Sequence, residues 1–154
     1  MTIQCLKCKK PSIIFIRYSG AHLCKKHFIE FVERRVKKDI KKQGKTIDNA
    51  TIGIALSGGK DSTVALHLIH EIFSKRPNLT LYAITVDEGI GGYRNKSLPI
   101  AQKNCKKLGI EHHIISFKDA IGKTMDEIDS LHDQLGACSY CGVFRRFCLN
   151  TKTK

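Results

Sequence analysis

The chain has 154 residues, 27 Lys and Arg against 14 Asp and Glu, a formal net charge of +13, and 42% hydrophobic residues. That apolar fraction excludes a wholly disordered chain, and no stretch reaches the roughly 18 apolar residues that a membrane-spanning helix needs. The length allows one domain plus a small appendage, at roughly 100–200 residues per domain, and the charge points to a polyanionic partner.

The first residues, MTIQCLKCKK, contain no apolar core of a secretory signal, so a cytoplasmic location is expected. In a reducing compartment the seven cysteines read as metal or redox groups rather than a disulfide framework. Residues 1–27 form a first module. Cys5-Leu6-Lys7-Cys8 and Cys24-Lys25-Lys26-His27 flank a strand-like run, Ile13–Tyr18, and a Ser19-Gly20 turn. Two ligand pairs around a hairpin close a tetrahedral Zn²⁺ site, and a segment this short needs the metal to fold. His22 is a weaker substitute for His27, because it breaks the C-x-x-H pairing.

Residues 28–49 are a basic helix and linker. Phe28, Phe31, Val32, Val36 and Ile40 recur at helical spacing, with Ile29 at the edge of the stripe and Gly44 as the stop. Lys25, Lys26, Arg34, Arg35, Lys37, Lys38, Lys41, Lys42 and Lys45 surround that stripe, opposed only by Glu30, Glu33 and Asp39. Cations clustered on one helix suit a phosphate backbone.

Residues 50–154 alternate strand and helix: strand 51–56, helix 62–74, strand 79–86, helix 98–108, strand 111–117 and helix 124–135. Repeated βα units imply a parallel sheet with flanking helices, whose ligands bind beyond the carboxyl ends of the strands. The first strand runs into Ser57-Gly58-Gly59-Lys60-Asp61-Ser62 and then into a helix. Glycines that admit an anion, a helix N-terminus and a lysine make a phosphate loop. It is not a Walker A loop, since Ile54 stands where that motif needs glycine and Asp61 where it needs Ser or Thr. Asp87 and Glu88 end the second strand and read equally as Mg²⁺ or ribose ligands or as a solvated loop. Cys105 reads as core, His112 and His113 alternate across a strand, and His67 and His70 lack a cysteine partner nearby.

The loop Ser57–Ser62 resembles the PP-loop of the N-type ATP pyrophosphatases. With the N-terminal Cys/His pairs and Cys138-Ser139-Tyr140-Cys141-Gly142-Val143-Phe144-Arg145-Arg146, the chain resembles the tRNA 2-thiolation proteins of the TtuA/NcsA-like group. Val86–Arg94 is similar to the branch acting on the wobble uridine. The resemblance implies an α/β fold: an N-terminal zinc ribbon, then a partial Rossmann-like, adenine nucleotide alpha hydrolase-like sheet. It implies zinc at Cys5, Cys8, Cys24 and His27. It implies ATP held by Ala55, Ser57, Gly58, Gly59, Lys60, Asp61 and Ser62, with Asp61 near Mg²⁺ and Ile84 near adenine. Cys138 and Cys141 would be two of three ligands of a [4Fe–4S] cluster, or persulfide carriers, and Arg145 would face the phosphates or the activated uridine. The implied reaction adenylates the uridine C2 oxygen and then transfers sulfur to tRNA. The implied partners are a sulfur donor (a ubiquitin-like protein thiocarboxylate or sulfide) and a second copy in a homodimer. The family's later Gly-His-Asn-x-Asp-Asp-like strand and third cluster cysteine do not occur here, so an incomplete PP-loop domain is expected, a truncated or split enzyme with one exposed sheet edge. Cys148, seven residues after Cys141, is a weak candidate for the third sulfur, and a buried structural cysteine is the preferred reading. The alternatives are a PP-loop enzyme that thiolates cytidine or amidates a carboxylate, and a non-catalytic RNA- and ATP-binding fragment.

Overall fold

The computed structural model describes residues 2–42, 49–130 and 136–152. It divides into two compact units, Met1–Thr46 and Ile47–Lys154. In the first, β1 (Ile14–Ile16) and β2 (Ala21–Leu23) pair antiparallel around a short 3-10 turn, and Gly20 closes that turn at a φ of 62°. Ile16, Leu23, Cys5 and Cys24 are its buried residues. Helix α1 (Lys25–Lys42) follows, and its Phe28 and Phe31 pack against that small core. The stripe expected from the spacing is present: Phe28, Phe31, Val32, Val36 and Ile40 are half-buried, while the lysines and arginines between them are exposed. Gly44, read as the helix stop, lies outside the described residues.

The second unit has a parallel sheet in the order β3 (Ala50–Ala55), β4 (Leu79–Asp87), β5 (Glu111–Ser116). Central β4 is covered on both faces, so Ala83, Ile84, Thr85 and Val86 form the continuous buried run that its sequence shows. Helices α2 (Lys60–Phe73) and α3 (Arg94–Leu108) connect the strands and bury Leu66, Ala101 and Cys105 against Ile54, Leu56 and Ala83. A second cluster joins Val86 to Phe117 of α4 (Phe117–Ile121), Met125 and Ile128 of α5 (Met125–Asp129), and Cys148 of α6 (Ala137–Lys152). The side chains of β4 alternate, so Ala83 meets the first cluster and Val86 the second.

Strand 51–56, helix 62–74 and strand 79–86 shift by one or two residues, to Ala50–Ala55, Lys60–Phe73 and Leu79–Asp87, and three further boundaries differ for identifiable reasons. Helix α3 begins at Arg94 rather than Leu98, because the Arg94 side chain is fixed at its first residue, and Pro99 is accommodated inside the helix. Phe117 opens α4 instead of ending β5, since Ser116 caps that turn by accepting from the Asp119 amide. The helix expected over 124–135 is observed as Met125–Asp129. A reciprocal capping box sets its start, with the Thr124 hydroxyl on the Glu127 amide and the Glu127 carboxylate on the Thr124 amide. Residues 131–135 of that reading lie outside the described residues.

Candidate functional site

Cys5, Cys8, Cys24 and His27 meet in the first unit. Their ligand atoms all lie within 4.8 Å of one another, with Cys5 Sγ 3.2 Å and Cys24 Sγ 3.4 Å from His27 Nδ1, and the Cys8 and Cys24 sulfurs 3.7 Å apart. A tetrahedral ion with bonds of about 2.0–2.3 Å needs ligand atoms ~3.5–3.8 Å apart, so the set fits Zn²⁺. Burial opposes ionisation of Cys5, but the amides of Cys24 and Lys7 and the His27 ring outweigh it and hold the thiol down to about 6. Cys8 is held by the Lys10 amide, yet burial and the neighbouring Cys24 and Cys5 sulfurs push its thiol up. One thiolate is thus ready at neutral pH, and crowding of the other sulfurs is the repulsion a cation removes. His22 takes no part: its ring stacks on Phe15 with centroids 4.6 Å apart.

In the second unit, the loop after β3 is closed by serine hydroxyls. Ser62 Oγ donates to the Gly59 carbonyl at 3.1 Å, so its lone pairs receive the Ser57 amide at 3.2 Å and the Ser57 hydroxyl at 2.9 Å. Ser57 Oγ in turn accepts the Gly59 amide at 3.3 Å. The first helical bond of α2 runs from Thr63 N–H to the Gly59 carbonyl, so the Lys60, Asp61 and Ser62 amides precede the ladder and have no partner within it. Behind the loop, buried Thr85 donates to the Leu56 carbonyl at 2.6 Å and therefore accepts from His112 Nε2 at 2.7 Å. Burial, and then the neighbouring His113, lower the pKa of His112 and favour the neutral ring this bond uses.

Gly58 has a φ of 80°, and a Cβ there would lie 2.1 Å from the Ser97 carbonyl oxygen, because the first turn of α3 rests on the loop. Gly58→Ala is expected to cost about 2–4 kcal/mol, combining a left-handed backbone with a backbone clash, and thermal melting of the variant measures it.

A cavity of about 250 Å³ opens beside this loop at the carboxyl ends of β3 and β4. Of the residues predicted from sequence, Ala55, Ser57, Ser62, Ile84 and Arg145 line it. Gly58, Gly59, Lys60 and Asp61 complete the adjoining turn but do not form its wall, and Lys60 and Asp61 are exposed. Glu88 and Arg94, which the reading of the residues did not single out as a pair, form its inner side. The alternative of a solvated loop fails for Glu88, which is fully buried. Arg94 Nε reaches Glu88 Oε2 at 2.6 Å, and Nη2 of the same arginine converges on that oxygen. Arg94 Nη1 donates to the Ser57 carbonyl at 2.9 Å. Arg145 Nη2 lies 3.0 Å from Glu88 Oε1, an ion pair rather than an aligned hydrogen bond, and 3.0 Å from Cys141 Sγ, to which it donates.

Cys138 is exposed and Cys141 half-buried on α6, one helical turn apart. Cys148 is 1% exposed inside the apolar cluster, its thiol pushed up by burial and by Glu88. Seven residues of helix place it roughly 10 Å along the axis from Cys141, too far to join the same cluster. Among the described residues, the thiols of Cys138 and Cys141 therefore offer two ligands and no third. Cys105 is core, its thiol raised by burial. His67 bonds Asn104 at 3.0 Å and joins no metal-binding group.

A phosphate-type loop at the carboxyl end of a parallel strand, feeding a helix N-terminus beside a cavity, defines a nucleotide-binding α/β domain. The chain belongs to the PP-loop family, whose domain model matches residues 29–134. Residues 4–29 match the N-terminal LIM domain of the 2-thiouridine synthetase TtuA. The chain is similar in structure to the U34-tRNA thiolase NcsA from Methanococcus maripaludis with its [4Fe–4S] cluster, with a TM-score of 0.84 and 42% identity over 98% of this chain and 49% of that one. It is 38% identical over 151 residues to the tRNA 2-thiolation protein NcsA of Haloferax volcanii, covering 94% of this chain and 47% of that protein. To the tRNA-5-methyluridine(54) 2-sulfurtransferase of Pyrococcus horikoshii it is 32% identical over 148 residues, covering 96% and 45%. The chain thus spans about half the length of the relatives it matches. No helix among the described residues is long and apolar enough to cross a membrane.

Proposed function

We propose that this chain carries the zinc-binding and ATP-activating parts of a tRNA 2-thiolation enzyme acting on the wobble uridine. The observation that carries the reading is Arg145, which joins the cavity beside the PP-loop to the sulfur of Cys141. Nucleotide activation and sulfur delivery need such neighbouring sites. The 42% identity to a thiolase named for U34, against 32% and 35% to two sulfurtransferases named for position 54, supports the wobble position. The match of residues 4–29 to the LIM domain of a 2-thiouridine synthetase favours this reading over cytidine thiolation or amidation.

In the proposed reaction the uridine C2 oxygen attacks the α-phosphorus of ATP, and pyrophosphate leaves with the electrons of the broken P–O bond. Lys60 and the first-turn amides of α2 stabilise charge on that leaving group. Asp61 would hold Mg²⁺, which would shield phosphate charge when bound. A sulfur nucleophile then attacks C2 and expels AMP. Cys138 and Cys141 would supply two cysteine ligands to a [4Fe–4S] cluster, which when bound would hold the donor's sulfur at the hydrosulfide level for that attack, with no change of oxidation state. The exposed cations of α1 receive tRNA phosphates, a cytoplasmic polyanion. The donor is a protein thiocarboxylate or sulfide, and the assembly a homodimer.

The test is the 2-thiouridine content at position 34 in tRNA from a strain lacking the gene. Loss of the modification is expected, restored by the gene and not by its Lys60→Met form, which should retain under about one hundredth of the activity. Unchanged 2-thiouridine in the deletion strain refutes the proposal.

A further inference from the structure

Among the described residues, Glu88 and Arg94 are the charged side chains withdrawn from water. A buried carboxylate is costly unless paired, and one arginine already satisfies Oε2. Oε1 lacks an aligned donor and faces Arg145, a half-exposed side chain at the cavity. Glu88 therefore touches two things at once. Through Arg94 it pins the Ser57 carbonyl, the peptide that enters the PP-loop. Through Arg145 it fixes a guanidinium that also donates to Cys141.

We propose that Glu88 is a positioning residue of the nucleotide site: its carboxylate holds the loop entrance and the Arg145 guanidinium in the arrangement that receives the ATP phosphates. This inference rests on the nucleotide reading of the cavity given above. A long, half-exposed arginine left to itself samples many rotamers, and ordering it on binding weakens affinity. A carboxylate fixed in the interior removes that cost beforehand.

The test is a double-mutant cycle on ATP affinity, measured by calorimetry with Mg²⁺ on this chain, with melting temperatures recorded in parallel. Glu88→Gln keeps the shape and removes the charge, and Arg145→Met removes the guanidinium. Each is expected to weaken ATP about tenfold, and the double variant to fall well short of the roughly hundredfold product, because the two act through one contact. Glu88→Gln binding ATP like the wild type, or a double variant reaching the product, overturns the inference. Should Glu88→Gln fail to fold, Glu88→Asp replaces it in the cycle with the same two outcomes. A wild-type chain that binds no ATP overturns the nucleotide reading itself and this inference with it.

Discussion

Chelation of the Cys5–Cys8–Cys24–His27 site, or Cys24→Ser, is expected to unfold the hairpin module while leaving the three-stranded sheet intact. The argument is one of scale. Strands β1 and β2 have three residues each, and among the described residues of this unit Ile16 and Leu23 are the buried side chains beside the two cysteines. A two-stranded hairpin of this size is marginal in water. In small metal-folded domains, by contrast, structural zinc supplies apparent binding energies of about 10–16 kcal/mol at neutral pH, and that energy is folding energy. The sheet has its own core around Leu66 and Ala83. In an amide proton–nitrogen correlation spectrum, signals of residues 4–23 should collapse toward random-coil positions on chelation and return with one equivalent of Zn²⁺. Those of β3 to β5 should hardly move. A hairpin that keeps its native signals without metal would sink this account.

The same contrast explains what the sequence made legible. Four ligands closing one hairpin lie close in the chain, so their spacing alone makes the set legible. The phosphate loop was equally readable, because Ser57–Ser62 must join a strand to a helix and contains its own glycines, lysine and serines. The apolar run 79–86 marked a strand of a parallel sheet, and its central place is seen only in the structure. Glu88, Arg94 and Arg145 were a different matter. Arg145 was marked only through a family resemblance, and Glu88 only as one of two carboxylates at a strand end. No periodicity links residues brought together by a Gly-rich loop and a distant helix, and a carboxylate followed by an arginine six residues on reads as ordinary surface. The early start of α3 escaped for the same reason: Pro99 resembles a helix-entry signal, whereas the entry is fixed by the contacts of Arg94 with Glu88 and the Ser57 carbonyl.

Arg94→Met tests those contacts most severely. Methionine fills much of the volume and removes the cation, which leaves the Glu88 carboxylate buried with only the half-exposed Arg145 nearby. Breaking a buried pair from one side costs about 3–5 kcal/mol, because the remaining charge is desolvated without compensation. In a unit of this size that corresponds to a fall in melting temperature on the order of 15–30 °C. The partner substitution separates charge from packing. With Glu88→Gln added to Arg94→Met no buried ion remains, and the double variant is expected to regain about 1–3 kcal/mol over Arg94→Met alone. If the interior were tolerant of the lone carboxylate, the single variant would melt within a few degrees of the wild type and the second substitution would restore nothing. Denaturant titration of all four proteins decides between these outcomes. The stability lost should be largest in the second unit, since the Ser57 carbonyl, the first turn of α3 and the base of the cavity all lose their shared anchor together.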